Sequence, residues 1–401
     1  MTQEQSTDGP AALSNSAGDI FQLFRSGVVH TRRELILHSG LARSTVTSRV
    51  DALLDAGLLR EAGENLSTGG RPPKILVPNL EAKTILAADL GATHGRIAVL
   101  DGAGTIIVEA ALESRIQSGP AAVLGRLVSQ WKKLLLKSGR GASSLCGIGI
   151  GLPGPVNAET GRLVQPPIMP GWHDYPILEF LAKHFDVPAF VENDANLMAL
   201  GEAQLVHPKL PSLLLVKVAT GIGAGLILGG RIYSGAAGGA GDIGHVKVPA
   251  AAGMRCSCGA EGCLAAVSSG AALVRQLAAD GRAVQTSRDV VRLVEQGDPE
   301  AVALTRRAGQ TLGEVIATAV SLFNPSALIL GGDLSLTDDH FLSGLREILY
   351  QRTQPLAIRH LLVTTSSLGD EAGIAGAAAL VRQEVFSAVA VDRQLSRVAP
   401  E

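Results

Sequence analysis

Two short glycine-rich runs, each directly after an apolar strand-like run, place the strongest limit on how this chain can fold. The first is Asp89–Thr93, which follows the apolar run opening at Thr84, and the second is Thr220–Gly225, which follows Leu213–Val218. Glycine lets a strand turn sharply and lets the backbone approach a ligand closely. Two such strand-and-turn units predict two related α/β lobes that face a common cleft.

The composition agrees with an α/β body that has a core of small aliphatic side chains. Hydrophobic residues make up 46% of the 401 residues but aromatic residues only 3%, and a chain of this length needs two or three domains. The formal net charge is −2, so nucleic-acid binding would require a local basic patch. Because the sequence has neither a signal-peptide pattern nor an apolar run of about 20 residues, we expect a cytoplasmic protein without a membrane partner.

Changes in residue pattern predict the domain boundaries. Residues 1–16 and 387–401 lack apolar periodicity and are predicted to be loose tails. Residues 17–80 are predicted to form a winged helix-turn-helix with a Gly/Pro-containing wing and linker, and residues 81–386 an α/β ligand domain. The predicted parts of the ligand domain are lobe 1 at about 81–200 with a C-terminal helix at about 370–386, and lobe 2 at about 201–369 with a metal loop at 245–263.

Residues 31 to 60 have the signals of two short helices joined by a turn and followed by a strand. Thr31 and Glu34 have the spacing of a capping box, in which a hydroxyl and a carboxylate each accept a backbone N–H at a helix start. Ser39-Gly40-Leu41 supplies the turn, and Leu58-Leu59-Arg60 predicts the first strand of a wing. Apolar residues recur along one face of the second helix at Val46, Val50, Leu53 and Leu54.

The opposite side of that second helix carries hydroxyl and guanidinium groups, which can bind phosphates and base edges in a major groove. These residues are Arg43, Ser44, Thr45, Thr47, Ser48 and Arg49. Farther along, Arg71 lies between two glycines and two prolines, in an extended segment that could enter a minor groove. The segment predicts binding to double-stranded operator DNA; the alternative is a small helical cap without a DNA partner.

Three glycine-rich turns could together hold a nucleotide. Backbone N–H groups in such turns can bind phosphate oxygens, and two glycines after a strand leave bare backbone against which an adenosine could lie. The candidate residues are Asp89, Gly91, Thr93, Thr220, Gly221, Gly223, Gly331 and Gly332. Each turn alone could merely end a strand, but the three in this order favour a nucleotide-binding pair of lobes.

Polar side chains follow the strand at 189–191, at the edge where the clefts of α/β proteins open. Asp194 could accept a proton from a sugar hydroxyl, and Asn193 could donate a hydrogen bond to a neighbouring hydroxyl. Asn and Asp are also common at helix N-caps, so capping alone is the alternative.

A histidine and three cysteines have the pattern of a metal site. His245 is followed by Cys256-Ser-Cys258-Gly-Ala-Glu-Gly-Cys263. One imidazole and three thiolates are the four ligands of a closed tetrahedral zinc site, and the glycines let the loop fold around the ion. We therefore predict structural Zn²⁺ at His245, Cys256, Cys258 and Cys263, with three buried free cysteines as the alternative.

Taken in order, these motifs resemble the ROK (repressor, open reading frame, kinase) family. Gly151-Leu-Pro-Gly-Pro155, the Glu-Asn-Asp motif, Gly-Asp-Ile-Gly-His245 and the cysteine loop occur in the family's order within about 17 to 385, and the first segment resembles the winged helices of the family's repressors. The resemblance implies a two-lobed actin-like α/β ATPase fold of the sugar-kinase type, preceded by an all-α winged helix-turn-helix domain. It also implies that Asp194 is the base of any kinase reaction. The implied ligand-binding residues are Asn193, Asp194, Asp242 and His245, the last of which would serve both zinc and ligand.

Several positions differ from the family's sugar kinases. Ile168 and Ala265 replace a sugar-binding Asn and Glu, and Asp242 stands where kinases carry Glu. The first turn has Ala92 and His94 where kinases usually have Gly and Lys. Two lost side-chain partners leave sugar hydroxyls unpaired, at about 1–3 kcal/mol each, so ordinary hexoses should bind weakly.

The sequence therefore predicts a homodimeric or homotetrameric DNA-binding transcription regulator, a repressor of carbohydrate-related genes that responds to a sugar or sugar-derived effector. Under this prediction ATP and Mg²⁺ are cofactors only if kinase activity is retained. Two alternatives stay open, an ATP-dependent sugar kinase with an accessory N-terminal domain and a regulator whose pocket has lost its ligand. ADP release across a sugar panel and thermal-shift screening would separate them.

Overall fold

A computed structural model of the chain describes residues 16–64, 74–92, 95–113 and 115–398. The predicted site residues Arg71 and Thr93, together with His94 and nearly all of the predicted N-terminal tail, lie outside these ranges. The chain forms two compact units. The first unit comprises Met1–Thr84, Asp101–Thr105 and Val381–Glu401, and the second comprises Ile85–Leu100 and Ile106–Leu380.

The secondary structure alternates between helices and strands along most of the second unit. In chain order the α-helices are α1 (Ala17–Arg25), α2 (Arg32–Ser39), α3 (Arg43–Asp55), α4 (Pro120–Ser138), α5 (Ile177–Ala182), α6 (Asp194–Leu205), α7 (Ala265–Ser268), α8 (Gly270–Ala279), α9 (Ser287–Glu295), α10 (Pro299–Phe323), α11 (Asp338–Arg352), α12 (Pro355–Ile358), α13 (Ala372–Val385) and α14 (Ala388–Val398). The strands are β1 (Leu59–Glu64), β2 (Lys74–Pro78), β3 (Thr84–Leu90), β4 (Gly95–Asp101), β5 (Ile106–Leu112), β6 (Leu145–Leu152), β7 (Ala189–Asn193), β8 (Ser212–Val218), β9 (Ile222–Leu228), β10 (Arg231–Ile232), β11 (Ala327–Gly331) and β12 (Leu362–Thr365).

The first unit has the elements that the sequence predicts for residues 31 to 60, namely α2, a turn, α3 and the strand β1. Gly40 adopts the left-handed conformation at the end of α2, with φ of 67°, which a residue with a Cβ rarely adopts. Strands β1 and β2 pair antiparallel, with Leu59 opposite Pro78. Together they form a two-stranded sheet that follows the helix pair, at the place predicted for a wing.

The start of α2 is capped somewhat differently from a capping box. The hydroxyl of Thr31 accepts the N–H of Glu34 at 3.1 Å, as predicted. The carboxylate of Glu34 accepts the N–H of His30 at 2.6 Å, one residue before the cap. Both side chains still satisfy backbone donors near the helix start, because a carboxylate at this position can reach either of two adjacent N–H groups.

The prediction of a loose tail from residue 387 onward is wrong, because Ala388–Val398 forms helix α14. Phe386 and Val391 are buried, and the N–H of Gly18 in α1 donates to the Asp392 carboxylate at 2.8 Å. Six of the eleven residues of this helix are alanine, valine or leucine, but its packing partner α1 lies near the other end of the described chain, so neighbouring residues do not indicate its packing. Packing against α1 supplies the burial that stabilises so short a helix.

The second unit contains two five-stranded sheets with the same topology. Their strand orders are β5-β4-β3-β6-β7 and β10-β9-β8-β11-β12. In each sheet, the first strand of the lobe lies at the centre, between a hairpin on one side and two later strands on the other. This repeated order confirms the prediction of two related α/β lobes.

Each sheet has its own aliphatic core, as the low aromatic content indicates. In the first lobe Leu127 and Trp131 of α4 pack with Leu86 of β3. In the second lobe Leu312 of α10 and Leu345 of α11 belong to the core that includes strand β8. The opposite face of the second sheet packs against α6 and α13.

Glycines in β9 and α13 allow α6 to pack closely against these two elements. A Cβ on Gly225 of β9 would lie 2.4 Å from the carbonyl oxygen of Ala195, and a Cβ on Gly376 of α13 would lie 1.8 Å from that of Leu197. Real side chains cannot come so near, so glycine is required at both positions. The first turn of α6, which begins at Asp194, is thereby fixed against the second sheet.

Among the described helices, none alone is long and apolar enough to cross a membrane. The bent pair Gly369–Val385 and Ala388–Arg397, with an angle of 60°, meets the length and composition criteria only when its two helices are taken together. Ile374, Ala377 and Val381 of α13 are fully buried within the fold.

Candidate functional site

A cavity of about 680 Å³ in the second unit brings together the residues that the sequence singles out for ligand and nucleotide binding. The predicted residues that line it are Asp89, Gly91, Asn193, Asp194, Thr220, Gly221, Gly223, Asp242, His245 and Gly332. Gly331, the last residue of β11, is buried in the sheet. Residues far apart in the chain thus meet in one cleft, at the ends of the central strands of both lobes.

Asn193 is the N-cap of α6, and its amide is engaged on both sides. Its Oδ1 accepts the N–H of Ala195 at 3.0 Å, while its Nδ2 donates to the carbonyl oxygen of Gly154 at 3.1 Å. The capping role that the sequence left open is therefore present in the structure. The Gly-Leu-Pro-Gly-Pro segment and the Glu-Asn-Asp segment are joined through this one side chain.

Asp194 is the first residue of α6 and is 7% exposed. Its Oδ1 accepts the N–H of Ala195 at 2.8 Å, and its Oδ2 lies 2.6 Å from Nζ of Lys217. The side chains of Asp194 and Lys217 are 10% and 19% exposed, so the ion pair is largely shielded from water. Both oxygens of the candidate base are thus engaged by groups of the protein itself.

Lys217 was not among the residues predicted from sequence. Burial acts to lower its pKa, but the negative charges of Asp194, then Asp89 and Asp333, raise that pKa well above its usual value. The carboxylates around Lys217 therefore favour the charged form of its ammonium. The available signal was a single charged residue in the otherwise apolar strand Leu213–Val218.

The other two cations that line the cavity are also paired with acids that line it. Arg288 lies 3.1 Å from a carboxylate oxygen of Asp333 and 2.8 Å from one of Asp370. Arg96 binds both carboxylate oxygens of Glu109, at 2.9 and 3.0 Å. The lysine and both arginines of the described lining are therefore all engaged in ion pairs with acids of the protein.

His245 and the three cysteines of the predicted metal loop form one cluster. The Sγ atoms of Cys258 and Cys263 are 3.8 Å apart, and Sγ of Cys256 is 3.7 Å from Nδ1 of His245. All four donor atoms lie within 4.8 Å of one another. Thiolates about 2.3 Å from a tetrahedral zinc ion would be about 3.8 Å apart, so the donors fit that ion in both type and spacing.

Hydrogen bonds within the loop favour the thiolate form of Cys256. Burial acts to raise the pKa of Cys256, but hydrogen bonds from Cys258 and Ser257 lower it to about 7. Burial raises the pKa of Cys263, although Nζ of Lys247, which lies 3.2 Å from its Sγ, acts to lower that pKa. Deprotonated thiols are the form that binds a metal ion.

His245 lies between the cysteine cluster and the cavity. Its Nδ1 faces Cys256, while its Nε2 lies 3.9 Å from a carboxylate oxygen of Asp242. Both His245 and Asp242 line the cavity, as do the two apolar replacements Ile168 and Ala265. An ion at the cysteine cluster would therefore fix the orientation of a side chain that a cleft ligand can touch.

In the first unit, helix α3 has a buried apolar side and an exposed polar side. Val46, Val50 and Leu53 are fully buried, and Leu54 is half-buried. Of the predicted DNA-contacting residues on α3, Arg43, Ser44, Thr47, Ser48 and Arg49 are exposed and Thr45 is half-buried.

The exposed arginines of α3 are available to an external partner. Within the described part of the chain, Arg43 and Arg49 make no ion pair or hydrogen bond through their side chains. Arg32 of α2, by contrast, binds the carboxylate of Asp51 at 2.6 Å and so ties α2 to α3. Arg32 therefore makes an internal contact, whereas Arg43 and Arg49 of α3 are exposed.

Comparison with known proteins gives the following matches. Residues 85–384 match the ROK family. The xylose repressor of Caldicellulosiruptor bescii is 29% identical over 361 residues, which cover 86% of this chain and 90% of the repressor. The glucokinase of Halalkalibacterium halodurans is 30% identical over 314 residues, which cover 75% of this chain and 95% of the kinase.

A solved structure matches nearly the full length. It is a ROK family transcriptional regulator described as a homolog of the E. coli MLC protein, with a TM-score of 0.80 and 25% identity. The match covers 95% of this chain and 98% of that one. The two-lobed actin-like α/β fold preceded by N-terminal helices, which the sequence predicts, agrees with this similarity.

Proposed function

The chain belongs to the ROK family, and from this premise we propose that it is a DNA-binding transcription regulator that represses carbohydrate-related genes under the control of a sugar-like ligand. One observation carries this proposal. The similar repressor covers 86% of this chain and the similar regulator structure 95%, whereas the similar glucokinase covers 75% of it. The described residues that precede the family match at 85–384 contain α1–α3 and the β1–β2 sheet, which are the elements expected of a DNA-reading domain.

In this proposal α3 is the reading helix. Its exposed guanidinium groups, Arg43 and Arg49, would bind phosphates or guanine edges, and its hydroxyl groups Ser44, Thr45, Thr47 and Ser48 would contact phosphates and bases. Arg71 would add a contact in the minor groove. One such unit has few cations, so we propose a homodimer or homotetramer that binds two half-sites about one helical turn apart. A DNA target also agrees with the cytoplasmic location expected from the sequence.

The effector would bind in the cavity of the second unit, against Asn193, Asp194, Asp242 and His245. A ligand that binds one conformation of the two lobes better than the other shifts the equilibrium between these conformations. By linkage, the factor by which the ligand changes the affinity for DNA equals the factor by which DNA changes the affinity for the ligand. A zinc ion at His245 and the three cysteines would keep this wall of the cavity ordered.

The alternative function is ATP-dependent phosphorylation of a sugar. The observation that favours it is the position of Asp194 in one cavity with the glycine turns at Gly91 and Gly221. Release of ADP in the presence of a sugar, abolished in Asp194→Asn, would establish it and would require ATP and Mg²⁺ as cofactors.

The test of the regulator proposal is binding of the purified full-length chain to genomic DNA fragments, followed by anisotropy on the selected sites at several salt concentrations. We expect nanomolar, salt-sensitive binding that D-xylose, D-glucose or a related sugar in a panel weakens. Absence of sequence-selective binding at low salt would refute the proposal. Sequence-selective binding that no sugar affects would refute only its effector part.

A further inference from the structure

Lys217 and Asp89 occupy corresponding positions in the two lobes. Asp89 is the sixth residue of β3, and Lys217 is the sixth residue of β8, the strand with the same place in the second sheet. Each interrupts an otherwise buried apolar strand, and both line the cavity. The repeated topology therefore directs an acid from one lobe and a cation from the other into the same cleft.

The cation from β8 reaches the candidate base of the cleft. Nζ of Lys217 lies 2.6 Å from Oδ2 of Asp194, and the negative charges of Asp89 and Asp333 act on the same ammonium. A base that is to deprotonate a ligand hydroxyl must have an oxygen free to receive the proton. The ammonium would have to leave before this oxygen could do so.

The charge of the cavity as a whole opposes an anionic ligand. Its described lining contains six carboxylates and three Lys or Arg side chains, a formal surplus of three negative charges. Each of the three cations is already paired with one or two of these acids. A nucleotide with its Mg²⁺, or a sugar phosphate, would bring further negative charge into a partly desolvated site with no free cation in the described lining to receive it.

We propose that Lys217 is a built-in counter-ion that replaces an external metal ion among the carboxylates of Asp194, Asp89 and Asp333, so that the cleft binds a neutral polyhydroxylated ligand and releases it unphosphorylated. The inference rests on the proposed function for the presence of a sugar-like ligand. It adds that this ligand is uncharged and that Lys217 is the residue that prevents phosphotransfer.

The first test uses probes that need no knowledge of the effector. Calorimetric titration of the full-length wild-type chain with Mg²⁺ and AMPPNP, and with Mn²⁺ alone, should show no binding below millimolar concentrations. Lys217→Met removes the charge at similar length, and it should raise the affinity for Mn²⁺ by at least about tenfold because the carboxylates lose their counter-ion. The exposed Lys209→Met is the matched control and should leave Mn²⁺ binding unchanged. Micromolar binding of Mg²⁺ and AMPPNP to the wild type, or equal Mn²⁺ affinity with and without Lys217, would overturn the proposal.

A double-mutant cycle tests the ion pair itself through the stability of the folded chain, which needs no ligand. Asp194→Asn removes the carboxylate that lies 2.6 Å from the Lys217 ammonium, and Lys217→Met leaves the Asp194 carboxylate without its partner, whereas the double variant removes both charges of this pair. The fold-change in the unfolding constant of the double variant, relative to the wild type, should therefore differ by at least about tenfold from the product of the fold-changes in the two single variants. Additive effects would contradict a counter-ion role.

The ligand class is tested by thermal shift with D-glucose, D-xylose and D-glucose 6-phosphate on the wild-type chain. Stabilisation by neutral sugars alone supports the proposal, and stabilisation by the phosphate overturns it. If no sugar stabilises the chain, the effector part of the proposed function fails, while the nucleotide titration and the cycle still decide whether Lys217 is a counter-ion.

Discussion

The ring centroids of Phe21 and Phe386 lie 6.3 Å apart, with an angle of 47° between the ring planes. A residue of α1 therefore packs against a residue that precedes α14. Both rings are buried, and the amide of Gln22 donates to the carbonyl oxygen of Phe386 at 2.8 Å. The C-terminal segment is therefore part of the core of the first unit.

This packing predicts that the C-terminus is needed for a stable first unit. Phe386→Ala should destabilise that unit by about 3–5 kcal/mol, because it removes a buried ring and leaves a cavity. Hydrogen exchange of α1 and α3 amides, or denaturant unfolding followed in the first unit, would measure the loss. Val389→Ala is the control, since Val389 is 68% exposed and its truncation should cost less than about 0.5 kcal/mol. An equal effect of both variants would contradict the assignment of this segment to the core.

Arg43→Ala and Arg49→Ala should each weaken DNA binding by about 1–3 kcal/mol without changing stability, since both side chains are exposed. A phosphate-contacting arginine should also reduce the slope of log affinity against log salt by about 1, while a base-contacting one should relax selectivity at one position. Anisotropy at several salt concentrations distinguishes these outcomes. The exposed Arg359→Ala in the second unit serves as control, and an effect there as large as at α3 would argue against a specific reading helix.

The cysteine cluster should hold about one zinc ion per chain, and Cys258→Ser should release it, since a closed site has no spare ligand. Loss of the ion should lower the melting temperature, because metal binding stabilises the folded loop. Elemental analysis and calorimetry provide the two measurements. Cys146→Ser, outside the cluster, should keep both values. Unchanged zinc content in the Cys258 variant would show that the ligands are assigned wrongly.

Metal binding should also depend on pH in a defined direction. Protons compete with the ion for thiolates, so affinity should fall as the pH is lowered through and below the value of about 7 to which the pKa of Cys256 is lowered. Competition with a chromophoric chelator between about pH 6 and 8 would record this change. An affinity independent of pH over this interval would contradict thiolate coordination.

Glu192 should make stability depend on pH in the opposite sense from a salt-bridged acid. Burial raises its pKa, although hydrogen bonds from Asn196 and the N–H of Asn193 oppose the shift. The folded chain therefore binds this proton more tightly than the unfolded chain does, and the stability contributed by Glu192 decreases as the pH rises above the unfolded pKa of about 4.3.

Glu192→Gln keeps a hydrogen-bond acceptor and removes the ionisation. Relative to the wild type, this variant should gain stability as the pH rises from about 4 to 7, which urea unfolding at each pH would measure. The exposed Glu295→Gln should show a smaller pH-dependent difference. A Glu192 variant that loses relative stability as the pH rises would reverse the expected sign.

The sequence by itself determined the local features of this protein. Glycine turns after apolar strands predicted the two lobes, the spacing of Val46, Val50 and Leu53 predicted α3, and the cysteine spacing predicted the clustering of the three cysteines with a histidine. These features depend on neighbouring residues and on the periods of helices and strands, which a sequence displays directly.

Only the tertiary structure decided which distant residues meet. The salt bridge between Lys217 and Asp194 joins two elements 23 residues apart, and the contact between α1 and the residues around Phe386 joins the two ends of the described chain. Such contacts are stabilised by burial and by charge pairing after the chain has folded, and no local pattern at either partner encodes them. For this reason the sequence identified Asp194 as a candidate base, whereas only the folded structure shows that Lys217 forms a salt bridge with it.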